Sequence, residues 1–133
     1  IETFGSEKII IRISPSRFMG EIYNWPDLDE MLSYFISNIQ KIGLKMIDIS
    51  CANANYHETS GMVIRKVRKL GFDGIIIGGA SLSLKEASHE VNESCVDLVT
   101  WGRGILANVD FVEKLQNNEE LLGMTDEMRS ELY

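Results

Sequence analysis

The stretch Val96-Asp97-Leu98-Val99-Thr100-Trp101-Gly102-Arg103-Gly104 decides how this chain is read. Its first five residues make a short, mostly apolar strand, and the residues that follow put glycine backbone and a fixed cation at the carboxyl end of that strand. An earlier apolar run closes in a similar way, with Ile77-Gly78-Gly79-Ala80. Two consecutive strand ends bearing glycine backbone and one arginine are the means by which a (βα) barrel holds a phosphate above its last two strands. The pattern points to a phosphorylated cofactor, with Gly78, Gly79, Gly102 and Arg103 as the residues that would hold it.

The remaining chain supports that architecture. Residues 8–14 (KIIIRIS) form a β-branched apolar run stopped by Pro15, as suits a strand covered on both faces in a parallel sheet. After a loop rich in Pro, Gly and Asn, the residues Leu28, Met31, Leu32, Phe35, Ile36 and Ile39 recur at helical spacing and stop before Gly43. Residues 45–51 read as a second strand, 60–70 as a helix ended by Gly71, and 74–77 as a third strand. Ser83 then caps a helix reaching about residue 93, residues 96–100 form the fourth strand, Asn108 caps a helix through residue 115, and Thr125 caps a short terminal helix to residue 129. The order βαβαβαβα implies right-handed crossovers and a parallel sheet with helices outside it. Four such units are half of an eightfold barrel, expected here as one segment over residues 1–133. Its outer strands need a partner: a missing half, a second copy of the chain as a homo-oligomer, or rearrangement into an open sheet.

Composition narrows the function classes. With 133 residues, 44% hydrophobic and 25% charged, the chain resembles an ordinary soluble domain. No apolar run approaches the roughly 20 residues that span a bilayer, and the start lacks the pattern of a signal peptide, so a cytoplasmic location is expected. The first residue is Ile rather than Met, which fits either a piece of a longer polypeptide or N-terminal processing. A net charge of −7 argues against a nucleic-acid partner. The basic cluster Arg65, Lys66, Arg68 and Lys69 alternates with apolar residues and reads as a solvated helix face. Cys51 and Cys95 form no CxxC pair and read as free thiols, while His57 and His89 lack metal-ligand spacing, so no metal site is expected.

Ligands of parallel α/β proteins collect at the carboxyl ends of strands. At the first of these, Arg12 lies two residues before the end of an apolar strand, which is costly unless its guanidinium finds an acceptor. That acceptor is either a ligand or a carboxylate such as Asp48 on the neighbouring strand.

The segments IIIRISP (9–15), DGIIIGGASLSLKEA (73–87) and VDLVTWGRGILANVDFVEKL (96–115) resemble the C-terminal half of the old yellow enzyme family, FMN-dependent NAD(P)H oxidoreductases and ene-reductases on an eightfold (β/α) barrel. The resemblance implies barrel strands five to eight, FMN as cofactor, NAD(P)H as reductant and a small-molecule acceptor such as an activated alkene. It implies Arg12 beside the flavin N1 and C2 carbonyl, where a fixed cation favours the reduced, negatively charged cofactor. It implies Gly78 and Gly79, with Gly102 and Arg103, at the cofactor phosphate. The family's Asn-Pro-Asp helix entry reads Asn108-Val109-Asp110 here, so the rigid first-turn proline is lost. The family's substrate-binding His pair and proton-donating tyrosine lie on earlier strands, and Tyr23 and Tyr56 are poor substitutes. Two other readings remain: a non-catalytic, phosphate-binding half-barrel assembly module, and a different phosphate-binding barrel enzyme acting on a sugar phosphate.

Overall fold

The computed structural model describes residues 1, 3–51 and 54–131, which fall into two compact units, Ile1–Thr100 and Trp101–Tyr133. The first unit is built on four parallel strands, β1 (Ile10–Ile13), β4 (Met46–Ser50), β5 (Ile75–Gly79) and β6 (Leu98–Val99). They lie side by side in chain order, β1-β4-β5-β6. Three helices provide the crossovers: α1 (Leu28–Lys41), α2 (Ser60–Lys69) and α3 (Leu84–Asn92). Right-handed crossovers that always step to the next strand in the same direction put every helix on the same side of the sheet.

Burial along the strands shows the consequence. Register aligns Ile11, Ile47 and Ile76 in one row and Ile13, Ile49 and Gly78 in the next. These residues alternate with a second set, and Ile47, Ile49 and Ile76 are completely covered. Burying each such side chain stabilises the fold by about 1.5–3 kcal/mol. The alternate rows belong to the other face, where Ile10 is 50%, Ile75 40% and Leu98 53% exposed. Helix α1 contributes Leu32, Ile36 and Ile39 to the covered side, and α2 contributes Val63, Ile64 and Val67. The sheet is thus helix-covered on one face and bare on the other, as a barrel wall is. The expected α/β class with a parallel sheet is found.

Several local expectations change. A two-stranded antiparallel hairpin, β2 (Ser16–Phe18) and β3 (Ile22–Asn24), occupies the segment read as a loop. Its strands are three residues long and mostly exposed, so no alternation of apolar residues announces them; Gly20, at φ +89°, makes the turn. The fourth strand is shorter than expected because Asp97 is used otherwise. Its carboxylate accepts hydrogen bonds from the Ile76 amide (2.7 Å) and Arg68 Nη2 (2.6 Å). Beyond β6, the Thr100 amide still donates to the Gly78 carbonyl at 2.8 Å.

Two polar networks fasten the helices to the sheet. Arg68 donates to the carbonyls of Phe72 (3.2 Å), Gly74 (2.9 Å) and Cys95 (3.2 Å) as well as to Asp97, clamping the chain just before β5 and β6. With Arg65 paired to Glu90 and Lys66 paired to Asp29, the basic cluster is a set of straps rather than a solvated face. Glu90, completely buried, accepts from Arg65 Nη2 (2.6 Å) and Tyr56 Oη (2.8 Å). Burial opposes ionisation of Glu90, but the hydrogen bonds from Arg65 and Tyr56 outweigh it and hold the carboxyl below its ordinary value.

The second unit contains α4 (Arg103–Ala107), α5 (Phe111–Asn117) and α6 (Asp126–Ser130). Helix α6 begins as expected, with Thr125 Oγ1 accepting from the Met128 amide at 3.2 Å. Asn108 does not cap the helix that follows; it ends α4, and α5 starts after Asp110. Its buried side chain instead donates to the carbonyls of Gly104 (2.9 Å) and Leu122 (3.0 Å) and accepts from the Leu122 amide (2.9 Å), tying down a segment fourteen residues on. Among the described residues, no helix is long and apolar enough to cross a membrane.

Removing Arg65 leaves a buried carboxylate without its cation, so Arg65→Ala is expected to cost about 2–4 kcal/mol in denaturant unfolding at pH 7, more than Glu90→Gln. The folded value of Glu90 lies below 4.5 in the wild type, so its contribution is complete above that pH and is lost as acid protonates it. In Arg65→Ala burial is opposed chiefly by the Tyr56 hydrogen bond, so the Glu90 value rises from its wild-type level and the gap from wild type should narrow as pH falls towards 4. A gap independent of pH would contradict this account. Arg68→Ala should likewise cost about 2–4 kcal/mol, against less than about 0.5 kcal/mol for the exposed Lys69→Ala.

Candidate functional site

The bare face of the sheet is apolar at its amino end and polar at its carboxyl end. In register across it lie Arg12, Asp48, Ile77 and Leu98, and beyond them Ser50 opposite Gly79. Arg12 reaches along β4, so that Nε and Nη2 both donate to Ser50 Oγ, at 3.0 and 2.7 Å. Its Nε lies 3.4 Å from Asp48 Oδ2. Asp48, one of the two acceptors considered for Arg12, therefore lies within ion-pair distance, and Ser50 is an additional acceptor. The Arg12 side chain is 71% exposed, and among the described residues its Nη1 edge has no partner. Ser50 was legible only as a small polar residue two positions beyond Asp48, hence on the same face as Asp48 and Arg12.

Gly78 and Gly79 lie inside β5 rather than beyond it. A Cβ on Gly78 would stand 2.7 Å from Ile64 Cδ1 and 2.8 Å from Val96 Cγ1, so close packing of helix on sheet requires that glycine. A Cβ on Gly79 would run into the Thr100 side chain and stand 2.9 Å from the Thr100 carbonyl. The Gly79 carbonyl accepts from Ser60 Oγ at 2.9 Å. Two residues on, Ser81 takes the left-handed conformation, at φ +53°. The amino end of α3 is filled by its own capping box. Glu86 Oε2 accepts from the Ser83 amide (2.8 Å) and hydroxyl (2.6 Å), and the Glu86 amide donates back to Ser83 Oγ. Those hydrogen bonds, the hydroxyl's first, hold the Glu86 carboxyl low, and they put a negative charge at the amino end of α3.

Gly102 and Arg103 open the second unit. Arg103 is the first residue of α4 and is exposed. Gly102 has φ −82° and ψ −78°, and a Cβ built on it meets nothing within 4 Å. Packing among the described residues gives no reason for glycine at 102, in contrast to Gly78 and Gly79.

The other candidates separate clearly. Tyr56 is 2% exposed with its hydroxyl on Glu90. Burial first, and then the hydrogen bond to Glu90, pushes its phenol above its ordinary value, which removes it as a proton donor. Tyr23, on β3, carries the Arg17 guanidinium 5.0 Å from its ring centroid. His57 and His89 are exposed, Cys51 is buried and Cys95 half-buried with neither in a disulfide, and the described residues contain no cluster of three metal-ligating side chains.

A 12-oxophytodienoate reductase-like protein of Solanum lycopersicum is 25% identical to this chain over 117 residues, 88% of the chain and 30% of that protein. The old yellow enzyme of Trypanosoma cruzi matches in fold with a TM-score of 0.74 and 22% identity, over 96% of the chain and 33% of its own length. Morphinone reductase in complex with tetrahydroNAD matches with a TM-score of 0.71 and 19% identity, over 96% and 33%. No family model matches the chain. The resemblance to old yellow enzymes carried by the three quoted segments is thus found again, in sequence and in fold. The proteins it resembles are enzymes, and the chain spans about a third of their length.

Gly79→Ala is expected to destabilise the chain by about 1–3 kcal/mol in denaturant unfolding, with or without ligand, because Thr100 and its backbone must move. Gly102→Ala should change stability by less than about 1 kcal/mol. Equal losses in the two variants would contradict the separation of packing glycine from open glycine.

Proposed function

We propose that this chain is the FMN-binding wall, strands five to eight, of an old-yellow-enzyme-like NAD(P)H oxidoreductase that passes hydride to an activated alkene or a similar small-molecule acceptor. The observation that carries the proposal is the meeting of Arg12, Ser50 and Gly79 at the carboxyl end of a sheet face whose amino end is apolar and exposed. A guanidinium with an unpartnered Nη1 edge, set on a flat apolar wall, fits a planar heterocycle with an electron-rich carbonyl edge. In the second unit, the open Gly102 supplies backbone that can approach a phosphate, and Arg103 supplies a cation for it.

When bound, FMN supplies hydride acceptance and donation. The chain's own part is binding and electrostatics. Arg12 favours negative charge at the flavin edge, the apolar rows exclude water beneath the ring, and Arg103 holds the phosphate. Among the described residues, nothing is placed to donate a proton to an acceptor or to hold one. Those roles belong to what covers the bare face, either a second barrel half or a second copy of this chain. A barrel enzyme for a sugar phosphate would use the glycines and Arg103 but would leave the Arg12–Ser50 pair without a role.

Titration of the chain into FMN, followed by flavin fluorescence, should show saturable binding, weakened about tenfold or more in Arg103→Ala. Riboflavin, which lacks the phosphate, should bind both forms equally. Binding of FMN that is indifferent to Arg103, or a folded chain that binds no FMN, would overturn the proposal.

A further inference from the structure

The Arg12–Asp48–Ser50 cluster has an arrangement that simple charge pairing does not explain. An arginine beside an aspartate on a neighbouring strand ordinarily closes into a two-pronged pair, with both carboxylate oxygens accepting. Here the carboxylate stands off. The nearest approach is 3.4 Å, from Asp48 Oδ2 to Arg12 Nε, while Asp48 Oδ1 is buried and has no hydrogen-bond partner among the described residues. The acceptor that an incoming guanidinium would find on Asp48 is replaced by Ser50 Oγ, which takes both Nε and Nη2 at 3.0 and 2.7 Å.

We infer that Ser50 is a positioning residue that keeps Arg12 from closing onto Asp48 and so leaves the guanidinium free to meet a ligand. The hydroxyl is neutral, so it fixes the direction of the guanidinium without cancelling its charge. Asp48 at its longer distance offsets that charge only in part. Without the hydroxyl, Arg12 has five N–H donors and a long, mobile stem, and Asp48 is the nearest strong acceptor with an oxygen to spare. Closure would neutralise the Arg12 cation on the bare face of the sheet and turn its donors into the wall. Asp48 is then a competitor for Arg12, and Ser50 settles the competition in favour of the ligand.

This inference rests on the FMN reading, and its test separates the two. The probe is FMN, with dissociation constants from fluorescence and the midpoint potential of the bound cofactor as a second readout. Ser50→Ala should lose about tenfold in FMN affinity and shift the potential downward, as the flavin edge loses a cation. Ser50→Thr, which keeps the hydroxyl, should restore both. The decisive variant is the double substitution Ser50→Ala with Asp48→Asn. With no carboxylate to close on, Arg12 should stay available, and affinity and potential should return towards wild type. A purely structural role for Ser50 predicts instead that the second substitution adds to the damage. Loss in Ser50→Ala that Asp48→Asn does not reverse would overturn the inference, as would no change in Ser50→Ala. If Arg12→Gln leaves both readouts unchanged, the placement of FMN against Arg12 fails and the inference falls with it. The Arg12 Nε–H resonance in the ligand-free chain gives a check without FMN, since it should move in Ser50→Ala and return in the double variant. Its indifference to Ser50 would overturn the inference as well.

Discussion

The strand order β1-β4-β5-β6, parallel and in chain order, is the constraint on which the rest of the first unit depends. A doubly wound sheet reverses direction partway and so receives helices on both faces. This sheet never reverses, so right-handed crossovers leave one face without helices. Complete burial of Ile47, Ile49 and Ile76, against half exposure of Ile10 and Leu98, records that asymmetry residue by residue. A bare wall of isoleucines is stable in water only when something covers it, so its chemistry is that of an interior.

The two ends of the sheet divide stability from binding. Before β5 and β6, Arg68 spends its donors on three backbone carbonyls and Asp97, and that end is closed. At the carboxyl end, Arg12 is anchored through one edge only and projects from the wall. Two arginines of the same charge thus have opposite uses, decided by how many acceptors the local backbone presents. In barrels, conserved stability at one rim and chemistry at the other follow the same division.

Much of this was legible in the sequence, and the limits have identifiable causes. The β-branched runs in β1, β4 and β5, the helical spacing from Leu28 to Ile39, and the caps at Ser83 and Thr125 are local signals, and local structure obeyed them. Asp48 was one of the two acceptors expected for Arg12 and lies within ion-pair distance, although the Arg12 side chain is exposed rather than buried as its apolar strand suggested. Ser50 as the nearer acceptor did not follow, because a hydroxyl opposite an arginine leaves no mark in either strand alone. Asn108 was misread for the reverse reason: its local sequence resembles a helix cap, but its hydrogen bonds reach Leu122. Gly78 and Gly79 drew notice as ligand glycines, and close packing accounts for them both; Gly102, which packing does not explain, carries more of the functional argument. Tyr56, read as a poor substitute for the family's acid, is fixed by a glutamate 34 residues away.

The central claim is that Arg12, at the carboxyl end of the bare face, meets FMN. The most direct measurement is residue-resolved NMR of the labelled chain titrated with FMN and, separately, with inorganic phosphate. The account predicts that FMN moves the Arg12 side-chain resonance in a saturable step and, as a separate readout in the second unit, the amides of Gly102 and Arg103. Phosphate should move those two amides without Arg12. Perturbations confined to other surfaces, or an Arg12 that responds to phosphate as strongly as Arg103 does, would contradict it.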